Sequence, residues 1–164
     1  DPNRAKEQVK SVSEVVREGI QDVRGSLNRL RPGALEGRTL KDALEKMIRE
    51  YQTLSNLQVD LHYEWVDVDM DVMIEDTIFR VIQESMTNAV RHGHASQMSL
   101  HFFEDEEDYL IELQDNGVGF ETLTYGYGLK QMMERISILG GQLQFESRDG
   151  FFTRVSLPKY KEGR

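Results

Sequence analysis

The first thirty residues place apolar side chains at helical spacing. Seven residues separated by three or four positions form one seam, namely Val9, Val12, Val16, Ile20, Val23, Leu27 and Leu30. This spacing predicts a single long amphipathic helix. Its apolar seam has to be buried, either against the rest of the chain or in an intermolecular helical bundle. The helix is predicted to end at Arg31-Pro32-Gly33, because the residue before proline disfavours helical backbone and glycine follows.

Beyond residue 33 the pattern alternates between helical and extended periods. A capping box at Thr39 to Asp42 opens a helix, and Asp71 opens a second helix over residues 71–92. Alternation from Val59 to Trp65 predicts a strand between them. The remaining predicted elements are strands at 98–103 and 109–114, a helix from 129 to 139 ended by Gly140-Gly141, and a closing hairpin of 142–147 with 151–157.

This order of elements indicates the fold class. Adjacent strands are expected to pair antiparallel through hairpins, with helices covering one face of the sheet. We therefore predict an α+β protein, a two-layer α/β sandwich with a mixed, mainly antiparallel sheet, preceded by one long amphipathic helix. Neither a dinucleotide-binding fingerprint nor a P-loop motif is present.

Composition and charge exclude several classes of function. The net charge is −9, and residues 1–31 carry seven Lys/Arg against five Asp/Glu, so the acidic excess lies in the remainder. Such a body argues against nucleic-acid binding. No apolar run has the length of a membrane span, so no membrane contact is expected of this segment. The absence of cysteine excludes disulfides and thiolate metal sites. The chain begins with Asp1 rather than Met, which suggests a fragment or a processed chain.

Three polar or glycine-rich stretches are candidates for chemistry. Glu84, Asn88 and Arg91 are spaced by four and three residues, so they share one strip of the helix predicted over residues 71–92. His92 follows at the end of that helix. Asp115 closes an apolar strand and is followed by Gly117 and Gly119. A third stretch, Gly126-Tyr127-Gly128-Leu129-Lys130, opens the next helix. Each stretch alone is explained by a solvated helix face, a tight turn or a helix start.

Together, and in this order, the three stretches resemble the N box and the two glycine boxes of the GHKL ATPase superfamily. The resemblance covers nearly the whole chain. Four further features narrow the resemblance to one group within the superfamily. They are the Arg91-His92 ending of the N box, the run from Gly126 to Arg135, the Leu139-Gly140-Gly141 turn and the Leu30-Arg31-Pro32 ending of the first helix. They are similar to the catalytic ATP-binding domain of bacterial two-component sensor histidine kinases of the nitrate-sensor type.

The resemblance implies a Bergerat-type ATP-binding fold and a division of the chain into three parts. Residues 1–32 would be the C-terminal helix of a partial dimerisation and histidine-phosphotransfer domain, residues 33–160 the catalytic domain, and residues 161–164 a charged tail. The chain would form the cytoplasmic part of a membrane-anchored sensor.

The same resemblance assigns roles to the residues of the first two boxes. Asp115 would accept a hydrogen bond from the adenine amino group, which suits an ionised carboxylate because it only accepts. Gly117 and Gly119 would let the backbone approach the base and the ribose. Asn88 would give an oxygen to the Mg²⁺ of MgATP, and Glu84 would orient water or act as a base.

The remaining site residues are implied to surround the phosphates. Arg91 and His92 would lie near them. Gly126 and Gly128 would be hinges that let the segment from Glu121 to Tyr127 close over the triphosphate as a lid. Leu129 and Lys130 would also bind the nucleotide, and the N-terminus of the following helix would face the triphosphate.

The implied activity is transfer of the γ-phosphoryl group of ATP to a histidine on a dimerisation helix of a homodimer, for relay to a response regulator. The family's acceptor lies in a His-Asp run that is absent here, since His62, His92, His94 and His101 all fall inside the catalytic pattern. The chain is therefore expected to bind ATP without phosphorylating itself. A second departure is the last hairpin, which has Phe151-Phe152-Thr153 where the family has a Gly-Thr pair.

Two other functions share parts of this pattern. An anti-sigma-factor-type protein serine kinase carries the same boxes and needs no upstream histidine. A non-catalytic nucleotide-binding dimerisation module would have a degenerate pocket, and the intact Asn88, Asp115 and glycines weigh against it.

Overall fold

The computed structural model describes residues 4–12, 15–16, 35–66 and 68–159. The chain divides into two compact units, Asp1–Ala34 and Leu35–Arg164. In the first unit, residues 4–12 and 15–16 are helical, and the predicted seam residues Val9, Val12 and Val16 are more than half exposed. The rest of the predicted first helix, its predicted end at Pro32 and the predicted tail 161–164 lie outside the described residues.

The second unit contains the predicted elements in the predicted order. They are α1 (Leu40–Leu54), β1 (Gln58–Tyr63), α2 (Val72–Arg91), β2 (Gln97–Glu104), β3 (Asp108–Asp115), α3 (Tyr127–Ile138), β4 (Gln142–Ser147) and β5 (Phe151–Pro158). Bounds differ from the predicted ones by a few residues. Trp65, which was expected to continue the first strand, follows the end of β1 and is nevertheless buried.

Side-chain oxygens cap α1 and α2 as predicted. Thr39 accepts a hydrogen bond from the backbone N–H of Asp42 at 3.1 Å, and Asp71 accepts one from that of Met73 at 2.7 Å. Each cap satisfies a donor that the first turn of a helix leaves without an internal partner. By contrast, α3 begins at Gly126 with no side-chain cap.

The sheet has the strand order β1-β2-β3-β5-β4. β1 and β2 are parallel, and the other three pairs are antiparallel. The parallel pair is joined through α2, because parallel strands need a crossover that no tight turn can provide. β5 lies between β3 and β4, so β4 does not pair with the strand that precedes it in sequence. The predicted α+β class with a mixed, mainly antiparallel sheet is confirmed.

The core lies between the helices and one face of the sheet. One face of α1 is buried, namely Leu40, Ala43, Leu44, Met47, Ile48 and Tyr51, and burial alternates along β2 and β3. The largest buried side chains come from both layers, including Leu44, Met47, Ile78, Ile82, Met86, Leu100, Phe102, Ile111 and Leu113. Across the described residues, no helix combines the length and the apolar character needed to cross a bilayer.

The β4–β5 hairpin forms despite its departure from the family pattern. Ser147 pairs with Phe151, and the turn between them uses Asp149 at φ 49 and Gly150 at φ 140, a region that favours Asn, Asp and glycine. Phe152 continues the ladder, and its buried ring lies 4.0 Å from the guanidinium carbon of Arg148. Asp149 and Gly150, which precede the two phenylalanines, therefore set the geometry of the turn.

Candidate functional site

Asp115, the last residue of β3, is held by two backbone donors. Its side chain is buried, at 6% exposure, and its Oδ1 accepts from the N–H of Gly117 at 2.8 Å and from that of Phe151 at 3.0 Å. Oδ2 makes no hydrogen bond to another described residue, yet no fully buried side-chain atom in this part of the chain lacks a partner, so Oδ2 keeps contact with solvent. A fixed carboxylate with one open oxygen is an acceptor for a ligand's donor group.

Gly117 is required by a close approach of two backbones. A methyl group at this position would lie 2.5 Å from the carbonyl oxygen of Gly93 and 2.8 Å from its Cα. The same carbonyl accepts from the N–H of Val118 at 3.0 Å. The glycine therefore joins the turn after β3 to the end of α2, where Asn88 and Arg91 lie.

Gly119 is also explained by neighbouring protein atoms. Its φ is +61, and a methyl group there would lie 2.5 Å from Ser147 Oγ and 2.8 Å from the carbonyl oxygen of Gly150. The structure thus gives Gly117 and Gly119 a different reason from the expected clearance for base and ribose. Their contact with a ligand stays a prediction.

Asn116 is a structural residue of the site that the sequence did not single out. Its Oδ1 accepts from the N–H groups of Ser96 and Gln97, both at 2.9 Å, and its Nδ2 donates to Ser96 Oγ at 3.0 Å. An amide supplies both acceptor and donor, so one side chain fastens the loop after α2 to the end of β3. Its position inside the first glycine box was the only signal available.

The predicted polar strip lies on α2, off the buried face of that helix. Glu84, Asn88 and Arg91 are partly exposed, and His92 is the exposed C-cap residue. The side chains of Asn88 and Arg91 make no hydrogen bond or ion pair with another described residue. They are therefore available to groups outside the chain, as the prediction requires.

The strip meets the second glycine box where α2 packs on α3. A methyl group at Gly128 would collide with Oε1 of Glu84 and lie 3.0 Å from its Cδ. At Gly126 a methyl group would meet nothing within 4 Å. The uncapped first turn of α3 opens onto this free space, and such a turn can accept an anion. Leu129 is partly exposed in this turn and Lys130 is exposed.

The predicted lid segment, 121–127, contacts the β4–β5 hairpin through Tyr125 and through Phe120, the residue that precedes the segment. The N–H of Phe120 donates to Ser147 Oγ at 3.1 Å, and the Phe120 ring lies 5.2 Å from that of Phe151. At the other end, the Tyr125 ring lies 6.3 Å from that of Phe145. Closure of this segment over a ligand stays a prediction.

A buried hydroxyl lies behind the strip. Tyr51 of α1 has its oxygen 2.5 Å from Thr87 Oγ1 and 3.3 Å from the backbone oxygen of Gln83. Burial raises the pKa of Tyr51 to about 12, and the nearby charge of Glu84 acts in the same direction while the bond with Thr87 opposes it. No local pattern could have paired these residues, because they are far apart in sequence.

The described residues line cavities of similar volume in different parts of the second unit. One, of about 550 Å³, lies between α1 and β1 and is lined by Arg49 and His62 among others. The other, of about 530 Å³, is lined by the ends of β1 to β3 and by the hairpin turn, including Asp115 and Arg148. Neither is lined by Glu84 or Asn88, so the candidate site is defined by its open polar groups rather than by either cavity.

The donor set fits a magnesium ion that arrives with a nucleotide. Among the described residues, no group of three or more His, Cys, Asp or Glu could hold a metal by itself. Mg²⁺ usually takes one or two protein oxygens and completes its shell with phosphates and water. The free amide oxygen of Asn88, one helical turn after Glu84, can supply one such ligand.

Curated relatives of this chain are sensor kinases from several bacteria. The signal transduction histidine-protein kinase/phosphatase UhpB of Salmonella typhimurium is 35% identical over 147 residues, which are 86% of this chain and 29% of UhpB. The sensor histidine kinase LiaS of Bacillus subtilis is 29% identical over 152 residues, 91% of this chain and 42% of LiaS. The chain thus spans less than half the length of these relatives.

Solved structures share the fold. The histidine kinase AdeS of Acinetobacter baumannii matches with a TM-score of 0.65 at 19% identity, over 94% of this chain and 81% of that one. The ATP binding domain of PrrB from Mycobacterium tuberculosis matches with a TM-score of 0.61 at 20% identity, over 73% and 93%.

A family model covers the whole candidate site. Residues 73–161 match the model described as "Histidine kinase-, DNA gyrase B-, and HSP90-like ATPase". The matched range includes the strip on α2, both glycine boxes and the β4–β5 hairpin. The chain therefore belongs to the family of histidine kinase-, DNA gyrase B- and HSP90-like ATPases, the GHKL superfamily.

Proposed function

We propose that this chain is the ATP-binding catalytic part of a two-component sensor histidine kinase of the nitrate-sensor type. It binds MgATP and donates the γ-phosphoryl group to a histidine on a dimerisation helix outside the chain, from which a response regulator takes the phosphoryl group. In this proposal the segment works on the cytoplasmic side of a membrane-anchored, homodimeric sensor. The family match and the sensor kinases among the relatives support it.

The observation that carries the proposal is the state of Asp115. Two backbone N–H groups fix Oδ1, and Oδ2 stays open as an acceptor. The adenine amino group is a donor, whereas guanine has a carbonyl at the same position, which a carboxylate repels. The arrangement therefore favours adenine over guanine before any other contact is made.

The phosphate end would be served by α2 and α3. Asn88 would give its amide oxygen to Mg²⁺, and Arg91, His92 and Lys130 would lie toward the phosphates. The uncapped first turn of α3, with open space at Gly126, would receive phosphate oxygens. Mg²⁺, when bound with the nucleotide, offsets the phosphate charge.

The chemistry asked of the chain is mainly positioning. In the transfer, the bond from the γ-phosphorus to the ADP oxygen breaks, a bond from phosphorus to an imidazole nitrogen forms, and the imidazole N–H proton is released. Glu84 is partly exposed and carries no hydrogen bond from another described residue, so its carboxylate can accept that proton or hold a water.

Calorimetric titration with MgATP and MgGTP tests nucleotide recognition. Asp115→Asn keeps an Oδ1 for the two backbone donors and places an NH₂ group against the adenine amino group. We expect a loss of ATP affinity of about 10- to 100-fold, from about 1–3 kcal/mol for a mismatched buried pair. Asp149→Asn, in the nearby hairpin turn, is the matched control, since asparagine tolerates its positive φ. Absence of saturable MgATP binding, or equal effects of the two variants, would refute the proposal.

A second experiment tests the acceptor. The chain is mixed with γ-labelled ATP and the separately purified dimerisation helices of the full-length protein. We expect acid-labile, base-stable label on the helices and none on the chain alone. Acid-stable label on a serine would favour the serine-kinase alternative.

A further inference from the structure

The hydroxyl of Tyr51 reaches from α1 across to α2. Tyr51 is 1% exposed, and its oxygen lies 2.5 Å from Thr87 Oγ1 and 3.3 Å from the carbonyl oxygen of Gln83. Thr87 also donates to that carbonyl, at 2.9 Å. Three oxygens thus form a compact polar cluster between the two helices, which we call the hydroxyl cluster.

The hydroxyl cluster holds the residues that immediately precede the catalytic candidates. Gln83 precedes Glu84, and Thr87 precedes Asn88. Successive residues of an α-helix are about 100° apart around its axis, so the cluster grips α2 on the side next to the polar strip. Apolar packing by residues such as Met86 is non-directional, whereas a hydrogen bond has a preferred distance and angle.

We propose that the hydroxyl pair of Tyr51 and Thr87 is a positioning device, which fixes the rotation of α2 about its axis and so aims Asn88 and Glu84 at the magnesium-phosphate end of the nucleotide. This inference rests on the proposed function. It assigns no contact with substrate to either residue. Tyr51 and Thr87 act through α2.

The size of the expected effect follows from helix geometry. A rotation of about 10° moves an atom about 5–6 Å from the helix axis by roughly 1 Å. A misplacement of about 1 Å can cost about 100-fold in a positioned reaction. Small freedom in α2 is therefore enough to disturb the magnesium end while the adenine end, held by Asp115 on β3, stays in place.

The test compares three ligands on the 164-residue chain by calorimetry. They are ATP with Mg²⁺, ATP with EDTA, and adenosine. The ratio of the first two affinities is the magnesium gain. Tyr51→Phe and Thr87→Val each remove one hydroxyl, and we expect each to lower the magnesium gain at least about fivefold, with adenosine affinity unchanged. The double variant should match either single variant, because the two residues act as one unit.

Two further variants separate positioning from general stability. Thr87→Ser keeps the hydroxyl and should keep the magnesium gain at its wild-type value. Tyr63→Phe removes the hydroxyl of a partly buried tyrosine, and that hydroxyl makes no hydrogen bond with a described residue. This variant should leave all three affinities unchanged. A folded Tyr51→Phe or Thr87→Val variant with the wild-type magnesium gain overturns the inference, and so does a parallel loss of adenosine and MgATP binding.

The outcome distinguishes this inference from the function on which it rests. If the wild-type chain shows no MgATP binding, the proposed function fails and the positioning role fails with it. If the wild-type chain binds MgATP and the hydroxyl variants keep the full magnesium gain, the positioning role alone is wrong.

Discussion

Replacing Gly117 with alanine puts a methyl group where the backbone of Gly93 already lies. The methyl carbon would be 2.5 Å from the Gly93 carbonyl oxygen and 2.8 Å from its carbonyl carbon. A flexible side-chain tip can move aside at little cost, but backbone at the end of a packed helix cannot. Either the turn after β3 or the end of α2 must shift.

The expected cost can be built from its parts. Overpacking costs about 1–3 kcal/mol, and stretching the bond from the N–H of Val118 to the Gly93 carbonyl costs about 1 kcal/mol. Alanine recovers about 0.4–1 kcal/mol by restricting the unfolded chain. We therefore expect Gly117→Ala to lower the free energy of unfolding by about 1–3.5 kcal/mol. The shift also moves the Gly117 N–H away from Asp115, so MgATP affinity should fall.

Urea unfolding and calorimetric titration with MgATP measure the two effects. Gly126→Ala is the matched control for the urea measurement, because a methyl group there meets nothing within 4 Å and φ is −75. Its cost should be about 0.5 kcal/mol, the usual loss from alanine at a helix N-cap. The reasoning fails if Gly117→Ala unfolds at the wild-type urea midpoint, or if both alanine variants are equally destabilised.

Three further substitutions test the supporting structure in the same urea assay. Asn116→Ala removes three hydrogen bonds to the loop at Ser96 and should lower the free energy of unfolding by about 1–2 kcal/mol; a change below about 0.3 kcal/mol would contradict its structural role. Thr39→Ala removes the α1 cap and should cost about 1 kcal/mol, with Thr39→Ser close to wild type. Hydrogen bonds from the backbone N–H groups of Asp108 and Glu107 hold the pKa of Asp105 below its ordinary value of 3.8. The stability that the ionised Asp105 contributes is therefore present above pH 3.8 and is lost as the pH falls through the lowered pKa. Asp105→Ala should make stability fall less in acid than it does in the wild type, and an unchanged dependence of stability on pH would refute this.

Local patterns were enough to predict the elements of the second unit, Leu35–Arg164. The caps at Thr39 and Asp71 are as predicted, because capping depends on residues within one turn of each other. The N box and the two glycine boxes could be identified because each is a short continuous stretch of the chain. The strip on α2 follows from helical spacing alone.

The reasons for individual site residues were less predictable. The close approach of Gly117 to the backbone of Gly93 was not foreseen, and its approach to a ligand stays a prediction. Asn116 went unassigned, although it fastens two segments of the site. In both cases the partner lies in another element, and no spacing rule relates the two positions.

The order and type of the elements, the family resemblance and the identity of the polar residues follow from the order of the amino acids, since they depend on side-chain chemistry and short-range sterics. Three features became visible only in the folded chain: β5 inserts between β3 and β4, Oδ1 of Asp115 is held while Oδ2 stays open, and the Tyr51 hydroxyl meets Thr87. The physical reason is that each of these depends on how distant segments pack, and packing is settled by the whole core at once.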